Sequence, residues 1–402
     1  MRLKGAAAVL MIVASMSLPV ESLAVIGPNQ VVSSSIRPAD GTSGQDVTVG
    51  TGIKRGHIQD AAVTGSKIAD GAVTDTKITG PISASKIQDG VFQKKTGNVI
   101  TVAKTGGDFT ALLPALQSIT DASETNPYII KIMPGVYDLD LAAATIVVNP
   151  FVTIEGSGEN ATFLVANSGW GDMSLTNAEI RGLTINIPSG HIRIWGSRSL
   201  FRNVTVNSTD KFEYHALWLY GDGFTFDRVL AKGGLYNAGN LVVDNSRIEG
   251  TPKLVDWTGG IFNEGNATLT VRNTVIDVTD SNTLTHYGIR LNYGSGNVVI
   301  SNSSINVNVP SNGYGVIAVN GNIQISSSQI KVPQGIAGLQ SIEASVFVDN
   351  SEITGMRSAI SGGGSFKIGS TKVNGPFDLQ GLTATFKCIN SYDGDYNQLV
   401  CP

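Results

Sequence analysis

Val271-Arg-Asn-Thr-Val-Ile276, Ile300-Ser-Asn-Ser-Ser-Ile305, Ile325-Ser-Ser-Ser-Gln-Ile330 and Val348-Asp-Asn-Ser-Glu-Ile353 are four copies of one six-residue pattern. Five more copies begin at Ile180, Phe201, Phe226, Val243 and Ile368, so that one returns every 17 to 29 residues. The first and sixth residues are apolar in every copy, and the second is polar or glycine. Two residues before most copies stands another apolar residue: Phe224, Leu241, Leu269, Val298, Ile323, Val346 and Phe366. Such alternation predicts a strand with one buried face. A short unit that buries one face needs its neighbours stacked on it. The regular return, the β-branched residues and the many glycines therefore predict an all-β solenoid of parallel strands, a parallel β-helix. Nine coils at a strand spacing of about 4.8 Å make a stack roughly 40 Å long. Asn203, Asn245, Asn273, Asn302 and Asn350 occupy the third position. Asparagines at one corner of successive coils are expected to hydrogen-bond to backbone and to one another along the axis.

Charged residues make up 15% of the 402 and the formal net charge is −4, which gives no electrostatic case for nucleic acid or an anionic membrane. The first 24 residues carry Arg2 and Lys4, an apolar run from Ala6 to Leu18, and Ser22-Leu23-Ala24. This order predicts a signal peptide over residues 1–24 and an exported protein, secreted or held at the cell surface. No later run of about 20 apolar residues follows, so no membrane span is expected after cleavage. The two cysteines, Cys388 and Cys401, lie in a C-terminal tail assigned to residues 381–402. In an exported chain they are expected to form a disulfide.

Residues 25–52 are rich in Ser, Gly, Pro and Thr and read as a linker. Residues 53–96 carry a second repeat, with Val63-Thr-Gly-Ser-Lys-Ile68, Val73-Thr-Asp-Thr-Lys-Ile78 and Ile82-Ser-Ala-Ser-Lys-Ile87. A single chain of such units has too little apolar surface to offset its ordering entropy, so it is either flexible or ordered by pairing with other chains. The repeat resembles the decapeptides of phage tail fibres and bacterial surface fibres. That resemblance implies a trimeric stalk, hence a homotrimer held through residues 53–96.

The solenoid domain is assigned to residues 97–380. Near its start Thr110 is placed to cap a helix from Ala111 to Ile119, with Leu112, Leu116 and Ile119 on one face. An amphipathic helix there would cover the open end of the stack. The run Val102-Ala-Lys-Thr-Gly-Gly-Asp-Phe-Thr110 is followed by Ile130-Lys-Ile-Met-Pro-Gly-Val-Tyr137 and Ile154-Glu-Gly-Ser-Gly158. Farther on come His215-Ala-Leu-Trp-Leu-Tyr-Gly-Asp-Gly-Phe-Thr-Phe226, Leu235-Tyr236 and Ile248-Glu-Gly-Thr251. In this order, from about residue 99 to 270, the segments resemble pectin methylesterases. The resemblance implies the single-stranded right-handed parallel β-helix of the pectin-lyase-like superfamily.

The same resemblance implies an esterase mechanism with an Asp nucleophile, an Asp acid/base, oxyanion-stabilising glutamines and an orienting Arg. Val255-Asp256-Trp257 stands nearest the nucleophile motif, which makes Asp256 the candidate nucleophile. The acid/base motif is cut down to Gly233-Gly234-Leu235-Tyr236, His215 replaces one glutamine, and the arginine has no counterpart. Each partner of an acid/base pair contributes typically about 10²–10⁴ in rate, so this loss is heavy. His215 is either a substitute donor or a structural histidine. Signatures of polygalacturonases and pectate lyases are absent from the sequence. No metal or cofactor is expected, because no His pair, Cys/His grouping or phosphate-binding glycine loop has the required spacing.

If Leu217 and Leu219 point inward, Trp218 and Tyr220 face outward from the same strand, with Arg290 and Ile317 on that face in later coils. Trp218, Tyr220 and Arg290 are then either a binding surface that stacks on and pairs with acidic sugars, or a surface covered by a loop or another subunit. The leading expectation is an exported surface protein, without catalysis, that binds a polysaccharide or cell-surface glycan or serves as an adhesive or structural module. The rivals are a pectinesterase-like carbohydrate esterase acting through Asp256 and a polysaccharide depolymerase fibre.

Overall fold

The computed structural model describes residues 98–139, 141, 145–167, 169–212, 215–250, 254–379 and 382–402, with the backbone of 35–36 and 47–48. The chain divides into two units, Met1–Phe92 and Gln93–Pro402. In the first, Ser35–Ile36 pairs antiparallel with Val47–Thr48. The expected signal peptide and decapeptide repeats fall outside the described residues.

The second unit is a right-handed β-solenoid of parallel strands stacked in three sheets. The first sheet starts with Asn98–Val102 on Tyr128–Ile132 and ends at Ala384–Ile389. The second runs from Gly135–Asp138 to Tyr392–Asp393, and the third from Ile146–Val148 to Phe377–Asp378. Register follows the apolar pattern, as in the file Leu269, Val298, Ile323, Val346 and Phe366. All five are at most 2% exposed. Each fully buried aliphatic side chain contributes about 1.5–3 kcal/mol, which favours in-register stacking over a slipped arrangement.

Each six-residue copy is a corner and not one straight strand. Its first residue lies in the first sheet and its sixth in the second, and the residue between them at the third position bends the chain. That residue has left-handed backbone in all nine copies, from φ +45° at Ser370 to +64° at Gly182. A Cβ opposes this conformation, and Asn tolerates it better than other non-glycine residues, which accounts for the five asparagines. The expected asparagine-to-asparagine ladder is not what forms. Asn245 and Asn273 donate instead to Asp227 and Asp244 of the coil before (3.3 and 3.0 Å), and Asn350 to Ser327 (3.2 Å).

The ladder stands one residue later, in Ser246, Thr274, Ser303, Ser328, Ser351 and Thr371. Each hydroxyl donates to the carbonyl two residues back, at 2.6–2.8 Å. Each also accepts the backbone amide of its counterpart one coil earlier, at 3.0–3.4 Å. A small hydroxyl at this corner thus satisfies backbone groups that the bend removes from the sheets.

Two expectations at the ends need correction. The N-terminal helix runs from Leu112 to Gln117 behind Ala111, with no side-chain cap, so Thr110 does not cap it. This later start keeps Pro114 within the first turn, where its missing N–H leaves no bond unmade. Leu112, Leu116 and Ile119 are buried against the first coils as their spacing predicts. At the other end the solenoid continues past residue 380. Ala384–Ile389 pairs in register with Gly364–Gly369, and Asn390 (φ +51°) and Ser391 repeat the corner. Cys388 and Cys401 form the expected disulfide, 6.1 Å apart between Cα atoms.

Candidate functional site

On the third sheet, strand Leu217–Lys232 buries Leu217 and Leu219 completely and turns Trp218 and Tyr220 outward, half-buried. Cross-strand register then sets Arg193, Trp218, Tyr236, Phe262, Arg290 and Ile317 in one outward file across successive coils. Strand spacing is close to the stacking distance of aromatic rings, so parallel register brings the rings face to face. The centroids of Trp218 and Tyr236 are 4.5 Å apart, and those of Tyr236 and Phe262 5.4 Å, with interplanar angles of 20° and 8°.

Arg290 ends this run of rings. Its guanidinium carbon lies 4.3 Å from the centre of Trp257 and 5.2 Å from that of Phe262. Arg181, Arg193, Arg202, Arg228, Arg247 and Arg272 each pair with a carboxylate on this chain. Among the described residues Arg290 pairs with none, and its buried Nε has no hydrogen-bond partner. Trp218 Nε1 is buried without a partner in the same way. His215, Trp218, Tyr236, Trp257, Phe262 and Arg290 together line a cleft of about 190 Å³.

The cleft is backed by polar groups in fixed pairs. His215 is 3% exposed and its Nε2 meets the Tyr287 hydroxyl at 2.9 Å. Tyr287 sits outside the main core, in a small cluster with Ile317 and Val319 packed on Phe262 and Tyr314. The strand alternation breaks after it, at Gly288. A Cβ there would stand 2.2 Å from the core methyl of Ile305, so only glycine admits so close an approach. Burial pushes the Tyr287 phenol far above its ordinary range. Burial, with the charge of Glu264 and then Tyr220 nearby, pushes the Tyr236 phenol up to about 12.

Trp218 and Arg290 thus share the cleft with His215, whereas Tyr220 lies beside it. Tyr220 stacks on Trp195 at 4.2 Å and is 5.8 Å from Tyr236. Asp256 does not line the cleft; its neighbour Trp257 does. The Asp256 Oδ1 accepts the backbone amides of Thr285 (2.5 Å) and Trp257 (3.2 Å). Partial burial opposes its charge, but these bonds and the Thr285 hydroxyl prevail and hold the carboxyl below the usual range. Beneath it His286 is buried, with Thr258 Oγ1 at 3.1 Å from Nδ1 and Asn282 Oδ1 at 2.9 Å from Nε2. No group of three His, Cys, Asp or Glu among the described residues could hold a metal ion.

Sequence reasoning missed Tyr236, Phe262, Trp257 and Trp195. Leu235-Tyr236 and Ile261-Phe262 do repeat the apolar–aromatic step of Leu217-Trp218. Aligning them required the register, which unequal coil lengths conceal.

No protein family matches the chain, and no curated protein does. Solved structures similar to it include the A-module of mannuronan C-5 epimerase AlgE4 from Azotobacter vinelandii, at 11% identity and a TM-score of 0.45. That match covers 70% of this chain and 93% of the other. Pectate lyase Pel9A matches at 15% identity and a TM-score of 0.42, covering 74% of this chain and 78% of the other. PfbA, a surface adhesin of Streptococcus pneumoniae, matches at 10% identity and a TM-score of 0.37, covering 66% and 82%. These are likenesses of fold and say nothing of the site. The protein has a right-handed parallel β-helix fold.

Proposed function

We propose that the protein is an exported, surface-associated β-helix protein that binds an acidic polysaccharide without cleaving it. The observation that carries this reading is Arg290, which packs against Trp257 and Phe262 while its edge has no carboxylate partner among the described residues. A planar cation held in that way recognises carboxylate or sulfate through its edge, while the outer edges of the stacked Trp218 and Tyr236 rings offer an apolar surface beside it. The cleft's 190 Å³ is below the roughly 300–1,000 Å³ of enclosed small-molecule sites. A cleft of that size suits one unit of a longer chain whose other units lie along the open sheet. The decapeptide repeats would carry this domain as a trimeric stalk after the signal peptide is removed.

Isothermal titration against acidic and neutral oligosaccharides tests the proposal. Binding to uronate or sulfated oligomers that is lost in Arg290→Ala supports it, and equal binding to neutral oligomers defeats it. The order of motifs from residue 99 to 270 supports descent from a pectinesterase-like ancestor. The esterase reading is separated by methanol release from methylated pectin: turnover that disappears in Asp256→Ala would overturn the non-catalytic proposal.

A further inference from the structure

Trp257 has left-handed backbone, φ +60°, a conformation that bulky residues leave unless their surroundings hold them. Its ring stays 39% exposed, so core packing does not hold it. Hydrogen bonds from the next coil do. Asp256 Oδ1 accepts both the Trp257 amide and the Thr285 amide, and Thr285 adds its hydroxyl. The Thr258 amide donates to the Thr285 carbonyl at 3.1 Å, and its hydroxyl is fixed on His286. The bend that carries Trp257 is therefore clamped on both sides to Thr285 and His286. The ring so placed covers Arg290 and lies parallel to Tyr314, 6.4 Å away at 13°.

We infer that Asp256 is a positioning residue, whose carboxylate clamps the Trp257 bend to Thr285 and so hangs one wall of the cleft over Arg290. The carboxylate that sequence aligns with a nucleophile instead sets the width of the slot into which a flat ring passes. That consequence for binding rests on the glycan-binding reading above, whereas the clamp itself does not.

Acrylamide quenching of tryptophan fluorescence tests the clamp with no ligand present. The Trp257 component is the difference between the full chain and its Trp257→Phe variant. Asp256→Ala is expected to expose this component, so that its quenching approaches that of free indole. Asp256→Asn, which keeps an acceptor oxygen for both amides, is expected to match the parent. Thr285→Val weakens the clamp from its other side and is expected to raise quenching by less; it decides the matter alone if Asp256→Ala does not fold. Unchanged quenching in these variants overturns the inference. A double-mutant cycle with an oligogalacturonate probe then tests the consequence. The affinity lost in Asp256→Ala is expected to vanish in a Trp257→Ala background, and a loss that persists there overturns action through Trp257. If the parent chain does not bind the probe, the glycan-binding proposal fails while the quenching result still decides the clamp.

Discussion

The guanidinium of Arg290 and the ring of Trp257 meet at 4.3 Å, although they belong to different coils. Exposed cation–π contacts are worth about 0.5–1 kcal/mol and desolvated ones about 2 or more, enough to fix the plane of Arg290 before any ligand arrives. Lysine keeps the charge but neither the plane nor the paired donors. Arg290→Lys is therefore expected to weaken binding of an acidic oligosaccharide by roughly tenfold or more, the value of one charge-assisted hydrogen bond. Arg290→Ala is expected to abolish the preference for acidic over neutral chains. Titration calorimetry at two salt concentrations checks both.

The left-handed corner makes a prediction independent of function. Asn302 has φ +48° and an exposed third-position side chain. Asn302→Ala keeps the Cβ but removes the short polar side chain that eases a conformation costing other L residues about 1–2 kcal/mol, while Asn302→Gly removes the Cβ itself. Urea denaturation is expected to show a loss of about 1 kcal/mol for alanine and little or none for glycine. A larger loss for glycine would mean that the asparagine side chain, and not the bend, is what the position needs.

Ser303 shows what the inner ladder contributes. Its hydroxyl donates to the Ser301 carbonyl at 2.7 Å and accepts the Thr274 amide at 3.2 Å. Ser303→Ala leaves that buried amide without a partner, a cost of about 1–3 kcal/mol. Ser303→Thr is expected to be tolerated, because Thr274 and Thr371 already fill equivalent places. The same denaturation experiment separates the two variants.

These positions also mark how far the sequence was legible. The apolar first and sixth residues of each copy are buried because burial is a property of composition and spacing, which a sequence displays. The corner at Asn302 and the ladder at Ser303 are not displayed, since a column of asparagines suggests a side-chain ladder as readily as a bend. Only the backbone angle shows that Asn serves the bend and Ser serves the bonding. Trp218 and Arg290 were placed on one face by alternation within their strands. Tyr236, Phe262 and Trp257 were not, because register across unequal coils and one left-handed turn decide where those rings stand.

Stability is expected to fall on acidification, beginning above the carboxylate range. Burial lowers the His286 pKa, against the raising effect of Asp280 and then Asp256. The unfolded imidazole takes up its proton near pH 6.5 and the folded one at lower pH. Below that point the unfolded chain binds more protons, so His286 contributes stability above pH 6.5 that is lost as pH falls through its folded pKa. Asp256 and Glu155 act in the same direction at lower pH. Glu155 is held down despite its burial by Lys131 and Arg181. Melting temperatures between pH 8 and 4 are expected to fall in the parent chain and to fall less between pH 7 and 5 in His286→Gln. Equal slopes in both would remove His286 from the account.

The C-terminal turn offers the last test, because a solenoid coil is stabilised only by its neighbours. Nothing stacks on the outer side of strand Ala384–Ile389 among the described residues, and the tail returns to it instead. The Leu399 amide donates to Ser391 at 2.8 Å, Leu399 packs on the core, and Cys401 is joined to Cys388. A disulfide spanning 13 residues restrains the open chain by about 3 kcal/mol in the loop-entropy account. In a one-dimensional stack that restraint acts first on the coil it closes. Cys388→Ser with Cys401→Ser is therefore expected to speed amide exchange in residues 384–402, to affect the coil at 358–374 less, and to leave the coils before Asn320 unchanged. Uniformly faster exchange along the whole solenoid would instead mean that the coils unfold as one cooperative unit, with the tail as part of its core.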